Sequence, residues 1–464
     1  MNAASRCASS CWLGVSLLFF ASFVLTPCHA HAELRVSTFT LSNGMQVVVV
    51  PDHRVPVVTH TVWYRVGAAD DPWGTSGIAH FLEHLMFKST QKLASGEFTR
   101  TITRLGGRDN ALTSPDTTQY FQRVAKEHLG TVMALEADRM VNLRLMEEEV
   151  RTERDVIQEE RRSTVDANPV SVLSEQMVAA LYQNHPYRRP SLGWAHEMSK
   201  LSLEDAAAFY RRYYAPNNAV LVVAGDVTTE EVRKLAEATY GRNKSNPAVA
   251  KRRRPQEPEA IAPRRLHIED ARIASPILLR YYHVPSYAAA QPGQAESIEL
   301  LTQILGGDDT SRLYRRLVAG KLATTAGASY LSNGLDSGRV ALLVVPRSEV
   351  ALEKVEGEID AAIAEIGDNG VTHEELDRAK STLEARRVFE SDNQVTLARR
   401  YGEAVALGRS IADIDALPGR LQAVSLADVK RAGQDFLRAQ RSVTGILRPP
   451  APGVKSGTAP GIKQ

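Results

Sequence analysis

The sequence predicts an α+β protein containing a duplicated domain, each copy mixing antiparallel strands with helices. Three observations carry that expectation. The chain has 464 residues, long for one domain, and its 43% hydrophobic and 24% charged residues can bury sizeable cores. Strand-like apolar runs and helical patterns alternate on both sides of a Pro- and Arg-rich break at 243–265. The order of elements after that break loosely repeats the order before it. A formal charge of +2 argues against a protein organised around nucleic acid.

At the N-terminus, Arg6 is the one charge ahead of an apolar run from Trp12 to Leu25, and Ala30-His31-Ala32 precedes Glu33. This is the pattern of an export signal over 1–32, with cleavage expected after Ala32 and a periplasmic or secreted mature chain. The run is shorter than a spanning helix requires and is followed by Pro27, so no stable membrane insertion is expected after cleavage. Cys7, Cys11 and Cys28 all fall in this segment, leaving the mature chain without thiols or disulfides. Proline before Cys28 disfavours a lipoprotein.

The first domain is expected over 33–242. Extended patches flank Ser42-Asn43-Gly44 as a hairpin running into Val47–Val50, and Val57–Val66 forms a third strand. Helical patterns follow at Ile78–Lys88, Phe98–Leu105, Glu127–Asn142, Glu147–Ser163 and Leu203–Tyr213, then an apolar strand at Ala219–Ala224. Residues 243–265 read as a linker, with Lys251-Arg252-Arg253-Arg254 as a solvated basic run. The second domain, 266–448, reads as strand Ile277–His283, helices Ala295–Leu305 and Ser311–Val318, strands Ala326–Ser332 and Val340–Val345, and helices Glu349–Ile366 and His373–Leu407. The Pro/Gly-rich tail 449–464 is expected to be disordered.

The chemistry concentrates in two helical segments. In Ile78–Lys88, a helix places His80, Glu83, His84 and Phe87 on one face and Ile78, Phe81, Leu82 and Leu85 on the other. Imidazoles at i and i+4 converge on one point, as the first two ligands of a catalytic zinc must, and His-x-x-Glu-His is the inverzincin order. Plotted as a helix, Glu147–Ser163 puts Val150, Glu153, Val156, Ile157 and Glu160 on one stripe. Carboxylates on a buried stripe need a cation or a donor. Glu160 is therefore the expected third ligand, with Glu159, off the stripe, as its competitor; Glu153 is expected to orient a histidine or the water. The fourth position is left to water, whose pKa falls to about 7 on zinc, and Glu83 is the expected base.

These segments resemble the family of pitrilysin, insulin-degrading enzyme and mitochondrial processing peptidase, over most of 35–445 and most densely from Gly67 to Asp226. His80 to Lys88 is similar to the family's zinc helix. Glu153-Arg154-Asp155-Val156-Ile157-Gln158-Glu159-Glu160 is similar to the segment supplying its third ligand, with Glu160 as ligand and Glu153 as supporting carboxylate. Gly106 to Thr113, His185-Pro186-Tyr187, Tyr214 to Asn218 and Gly225-Asp226-Val227 add to the resemblance. It implies two homologous α/β sandwich halves enclosing a chamber, one Zn2+ per chain, and endopeptidase action on short or unfolded peptides. It also implies an edge strand at which Asn110 and Ala111 contact the substrate by strand addition.

One departure is informative. Single-chain members of that family carry an Arg and, seven positions later, a Tyr in the second half, both reaching the substrate. Here Val318 stands at the first position and Thr324 or Thr325 at the second. In two-component members the subunits divide these parts, so a heteromer with a related zinc-less partner is expected. A non-catalytic or peptide-binding subunit is the competing reading; the presence of Glu83 weighs against it.

Overall fold

The computed structural model describes residues 36–450; the expected export signal and nearly all of the expected tail lie outside them. Two mixed sheets form the frame. The first has six strands: β1 (Ser37–Thr40), β2 (Gln46–Pro51), β3 (Val57–Tyr64), β4 (Arg108–Thr113), β5 (Thr118–Ala125) and β6 (Ala219–Gly225), in the order β1-β2-β6-β3-β5-β4. The second has five: β7 (Arg264–Glu269), β8 (Ile277–Val284), β9 (Ala323–Leu331), β10 (Gly338–Pro346) and β11 (Ser442–Arg448), in the order β7-β11-β8-β10-β9.

The two sheets repeat one wiring pattern. In the first, β2 pairs parallel with β6, and β6, β3, β5 and β4 then follow antiparallel. In the second, β7 pairs parallel with β11, and β11, β8, β10 and β9 follow antiparallel. Apart from β1, each strand of one sheet has a counterpart in the other, and β4 and β9 occupy equivalent free edges. Each sheet holds a core on one face. Val47, Val49, Val62 and Leu221 pack under the helices of the first half, and Leu278, Leu342 and Val344 under those of the second.

The other face of each sheet is covered by a helix from the opposite half. Helix Gln394–Ala406 lies across β3 and β6, while helix Pro169–Leu181 lies across β8 and β11, where Leu173, Met177 and Leu181 meet Leu279, Tyr281, Val443 and Leu447. Strands covered on both faces read as unbroken apolar runs, which is why Val47–Val50 and Ala219–Gly225 are buried throughout. The crossings are close enough to demand glycine. A Cβ on Gly402 would stand 2.1 Å from the Trp63 indole nitrogen, and one on Gly445 would stand 2.3 Å from the Met177 sulfur.

Several expectations are corrected. His373–Leu407 is two helices, His373–Ser391 and Gln394–Ala406, because the Asn393 side chain accepts from the Val395 and Thr396 amides and starts a new helix. Over Ser311–Val318 the chain winds as a π-helical turn, Tyr314–Ala319. Strand β7 begins at Arg264, inside the segment read as linker, and Val156 is 44% exposed, off the buried stripe. The basic run is solvated at Lys251 and Arg253, which are exposed, but not at its other two residues: the Arg254 side chain is buried and pairs with Asp70 at 2.9 Å, with Asp336 at 3.0 Å and with Asp116, while Arg252 reaches Asp70 at 2.9 Å. Strand β5 and the helices Pro169–Leu181, Thr229–Ala238 and Leu426–Phe436 were not among the expected elements.

Candidate active site

Helix α1 (Ile78–Leu85) is positioned by Asp71, whose buried carboxylate accepts from the Gly77 and Ala79 amides. Ile78, Phe81, Leu82 and Leu85 sink into the core, so the opposite stripe turns His80, Glu83 and His84 toward helix Glu147–Arg161. On that second helix Val150, Glu153 and Ile157 are buried and Glu160 is partly open. The His80 Nε2 atom stands 3.5 Å from Glu160 Oε2, and the His84 Nε2 atom 3.2 Å from the same oxygen. Ligand atoms on a tetrahedral zinc with bonds of about 2.0–2.1 Å are separated by about 3.3 Å. Among the described residues, His80, His84 and Glu160 form the one group of this kind whose donor atoms lie within 4.8 Å of one another.

The surroundings decide which nitrogen faces the cluster. His84 Nδ1 donates to Glu153 Oε1 at 2.9 Å, so Nε2 is left with a free lone pair. The second oxygen of Glu153 pairs with the Lys88 ammonium. Burial opposes charge on both partners, but their mutual contact outweighs it, holding His84 above and Glu153 below the ordinary value. Burial, with the neighbouring His84, pushes His80 down to about 3, so this imidazole is neutral at any working pH. Its Nδ1 is buried and makes no hydrogen bond. Imidazole nitrogens and a carboxylate oxygen are the donor set that zinc takes, so the residues fit the ion.

Glu83 is buried beside this cluster. Burial pushes its carboxyl upward, and the Thr113 hydroxyl, donating to it from the end of β4, pulls in the opposite direction. Asn110 is exposed and Ala111 half-buried on β4, which pairs with β5 on one side alone. Glu159 faces away and pairs with Arg162, both 65% exposed. Val318 is half-buried in the π-helical turn, and Thr324 and Thr325 are exposed on β9, the edge counterpart of β4. Two side chains that contact this cluster escape sequence reasoning. Lys88 follows His84 by one helical turn, a signal that spacing carries; Thr113 reaches Glu83 through the β4 register, which no local pattern reveals.

With this geometry in place, comparison with known proteins is specific. Residues 46–193 match the model of insulinase, peptidase family M16, and residues 200–383 match the model of the peptidase M16 inactive domain. The chain belongs to the M16 peptidase family. A zinc protease of Helicobacter pylori, PqqE, is 28% identical over 425 residues, covering 91% of this chain and 95% of that one. The crystal structure of a protease from Helicobacter pylori superposes with a TM-score of 0.83 at 28% identity, covering 90% of this chain and all of the other. The Escherichia coli periplasmic protease PqqL shares the fold, with a TM-score of 0.76 at 23% identity, covering 89% of this chain and 48% of PqqL.

Proposed function

We propose that this chain is an exported zinc metalloendopeptidase that hydrolyses short or unfolded peptides, working as the zinc-bearing member of a heteromer. The observation that carries the reading is the convergence of His80 Nε2, His84 Nε2 and Glu160 Oε2, with the Glu83 carboxylate alongside. His80, His84 and Glu160 would hold a zinc ion, which when bound would supply a Lewis acid for the scissile carbonyl and make water more acidic. Glu83 accepts the proton of the attacking water and delivers it to the departing amine as the C–N bond breaks. Thr113 fixes the rotamer of Glu83 for both transfers. Glu153 and Lys88 hold His84 in the tautomer that ligates.

The free edge of β4 offers backbone groups to an extended peptide, with Asn110 and Ala111 along it, and strand addition requires an unfolded substrate. Export is inferred from residues 1–32; among the described residues no helix is long and apolar enough to cross a membrane. The partner is inferred from Val318 and Thr324 or Thr325, which stand where the single-chain relatives carry the Arg and Tyr that reach the substrate. The match of 200–383 to a domain described as inactive fits a second half that carries no metal site of its own. It equally suits a peptide-binding subunit that does not cut.

The test is cleavage of a quenched fluorescent peptide library by the mature chain, with and without a related zinc-less subunit, in parent and Glu83→Gln forms matched for bound zinc. Cleavage that requires Glu83 and rises with the partner is expected. Activity of the chain alone at full rate removes the partner requirement, and the absence of Glu83-dependent cleavage in every mixture leaves the binding reading.

A further inference from the structure

The exchanged helix Gln394–Ala406 covers β3 and β6 of the first sheet but leaves the β5–β4 side open. A cleft of about 440 Å³ lies there, lined by Leu112 and Gln119 from the strands and by Arg387, Thr396, Arg399 and Glu403 from the second half. Leu112 and Gln119 are register partners on β4 and β5, on the face opposite Thr113 and Glu83. A peptide strand added to the β4 edge would point alternate side chains to the two faces of the sheet: one set toward the zinc-ligand cluster, the other into this cleft.

The cleft has positive charge to spare. Arg387, half-buried, and Arg399 make no ion pair or side-chain hydrogen bond among the described residues. Arg400 next to them is committed to Glu390 at 2.6 Å. The acids lining the cleft are each held by another group, Glu390 by Arg400. Tyr287 donates to Glu299, whose carboxyl burial pushes upward. Glu403 accepts from Asn333 at 2.9 Å, and burial pushes it up to about 7 against the pull of Arg399. A half-buried guanidinium without a partner is poised for a bidentate anion of its own size.

We propose that this cleft is a specificity subsite for a peptide carboxylate, in which Arg387 and Arg399 receive an acidic side chain of the strand paired with β4. The inference rests on the peptide-binding part of the function proposed above, and its test does not need turnover. Extended peptides carrying Glu or Gln at each position in turn, with free or amidated C-termini, are titrated by fluorescence anisotropy into the mature Glu83→Gln chain.

Glu is expected to bind about tenfold tighter than Gln at one position or at positions two apart, as one charge-assisted pair permits. Arg387→Gln with Arg399→Gln should erase that preference. Arg387→Glu with Arg399→Glu should turn it toward Lys, a gain that misfolding cannot produce. Tighter binding of free-acid than of amidated peptides, with Glu and Gln bound alike, assigns the two arginines to the peptide terminus and overturns the side-chain subsite. Equal binding of Glu and Gln peptides, or a Glu preference that survives charge reversal, overturns it. Acid-selective binding by a parent chain that never cuts would sink the peptidase reading and leave the subsite standing.

Discussion

Replacing Glu153 tests whether the carboxylate behind His84 acts on the metal. Glu153 touches none of the proposed ligand positions of zinc, yet it accepts from His84 Nδ1 at 2.9 Å and pairs with Lys88, while being only 7% exposed itself. In Glu153→Ala the Nδ1–H group loses its acceptor, the imidazole is free to rotate or change tautomer, and a half-buried ammonium is stranded. Supporting contacts of this kind are worth about 10–100-fold in metal affinity, or about 1.4–2.7 kcal/mol. Glu153→Gln keeps a carbonyl acceptor and loses the charge, so it should fall near the lower end and the alanine variant near the upper. The assay is competition for zinc against a chromophoric chelator at fixed pH, with Glu160→Gln as the reference for losing a ligand outright. Dissociation constants within about twofold of the parent for both Glu153 variants would refute the reasoning. So would a glutamine variant weaker than the alanine one.

Glu83→Gln should bind zinc as the parent does and lose about 10²–10⁴-fold in turnover, measured on any peptide the parent complex cleaves. Adding chelator should lower the midpoint of thermal unfolding, and restoring excess zinc should recover it, because an ion bound to the folded state alone stabilises that state by mass action. Gly402→Ala should destabilise by about 1–3 kcal/mol, since its new methyl meets Trp63, and denaturant unfolding reads the difference. Burial resists charge on Glu375, but Arg312 and the Thr372 amide hold it down at about 2. Its folded pKa is thus depressed, so the stabilisation is complete above the unfolded value and fades as pH falls toward 2. Glu375→Gln should therefore trail the parent by on the order of 2 kcal/mol at neutral pH, with the gap closing between about pH 4.5 and pH 2.

The parts of the site that lie along helices are legible, because the 3.6-residue period alone aligns His80 with His84 and separates Glu160 from Glu159. The fold class is legible for a similar reason, since β2, β3 and β6 are apolar runs bounded by turns. What resists reading depends on residues far apart in sequence. Strand β5 carries Gln119, Gln122 and Arg123, and it becomes a strand because β3 and β4 flank it. Arg254 looks like solvated linker until Asp116 and Asp336, from different halves, are folded around it. Helix Pro169–Leu181 carries readable signals, an Asn168 cap followed by Pro169, but nothing local says that it lies on the other half's sheet.

That crossing of helices changes what a cut chain would do. Residues 258–263, beyond the pinned Arg252, Arg254 and Glu257, contain no helix or strand, are mostly exposed, and are the natural place for a protease to nick. Severing them does not release two pieces, because each piece holds a helix that the other's sheet needs to stay dry. The fragments should migrate together in native chromatography and separate only in denaturant. Neither should be recoverable in soluble form without the other, so the molecule behaves as a clasp of two interlocked arms rather than two beads on a string.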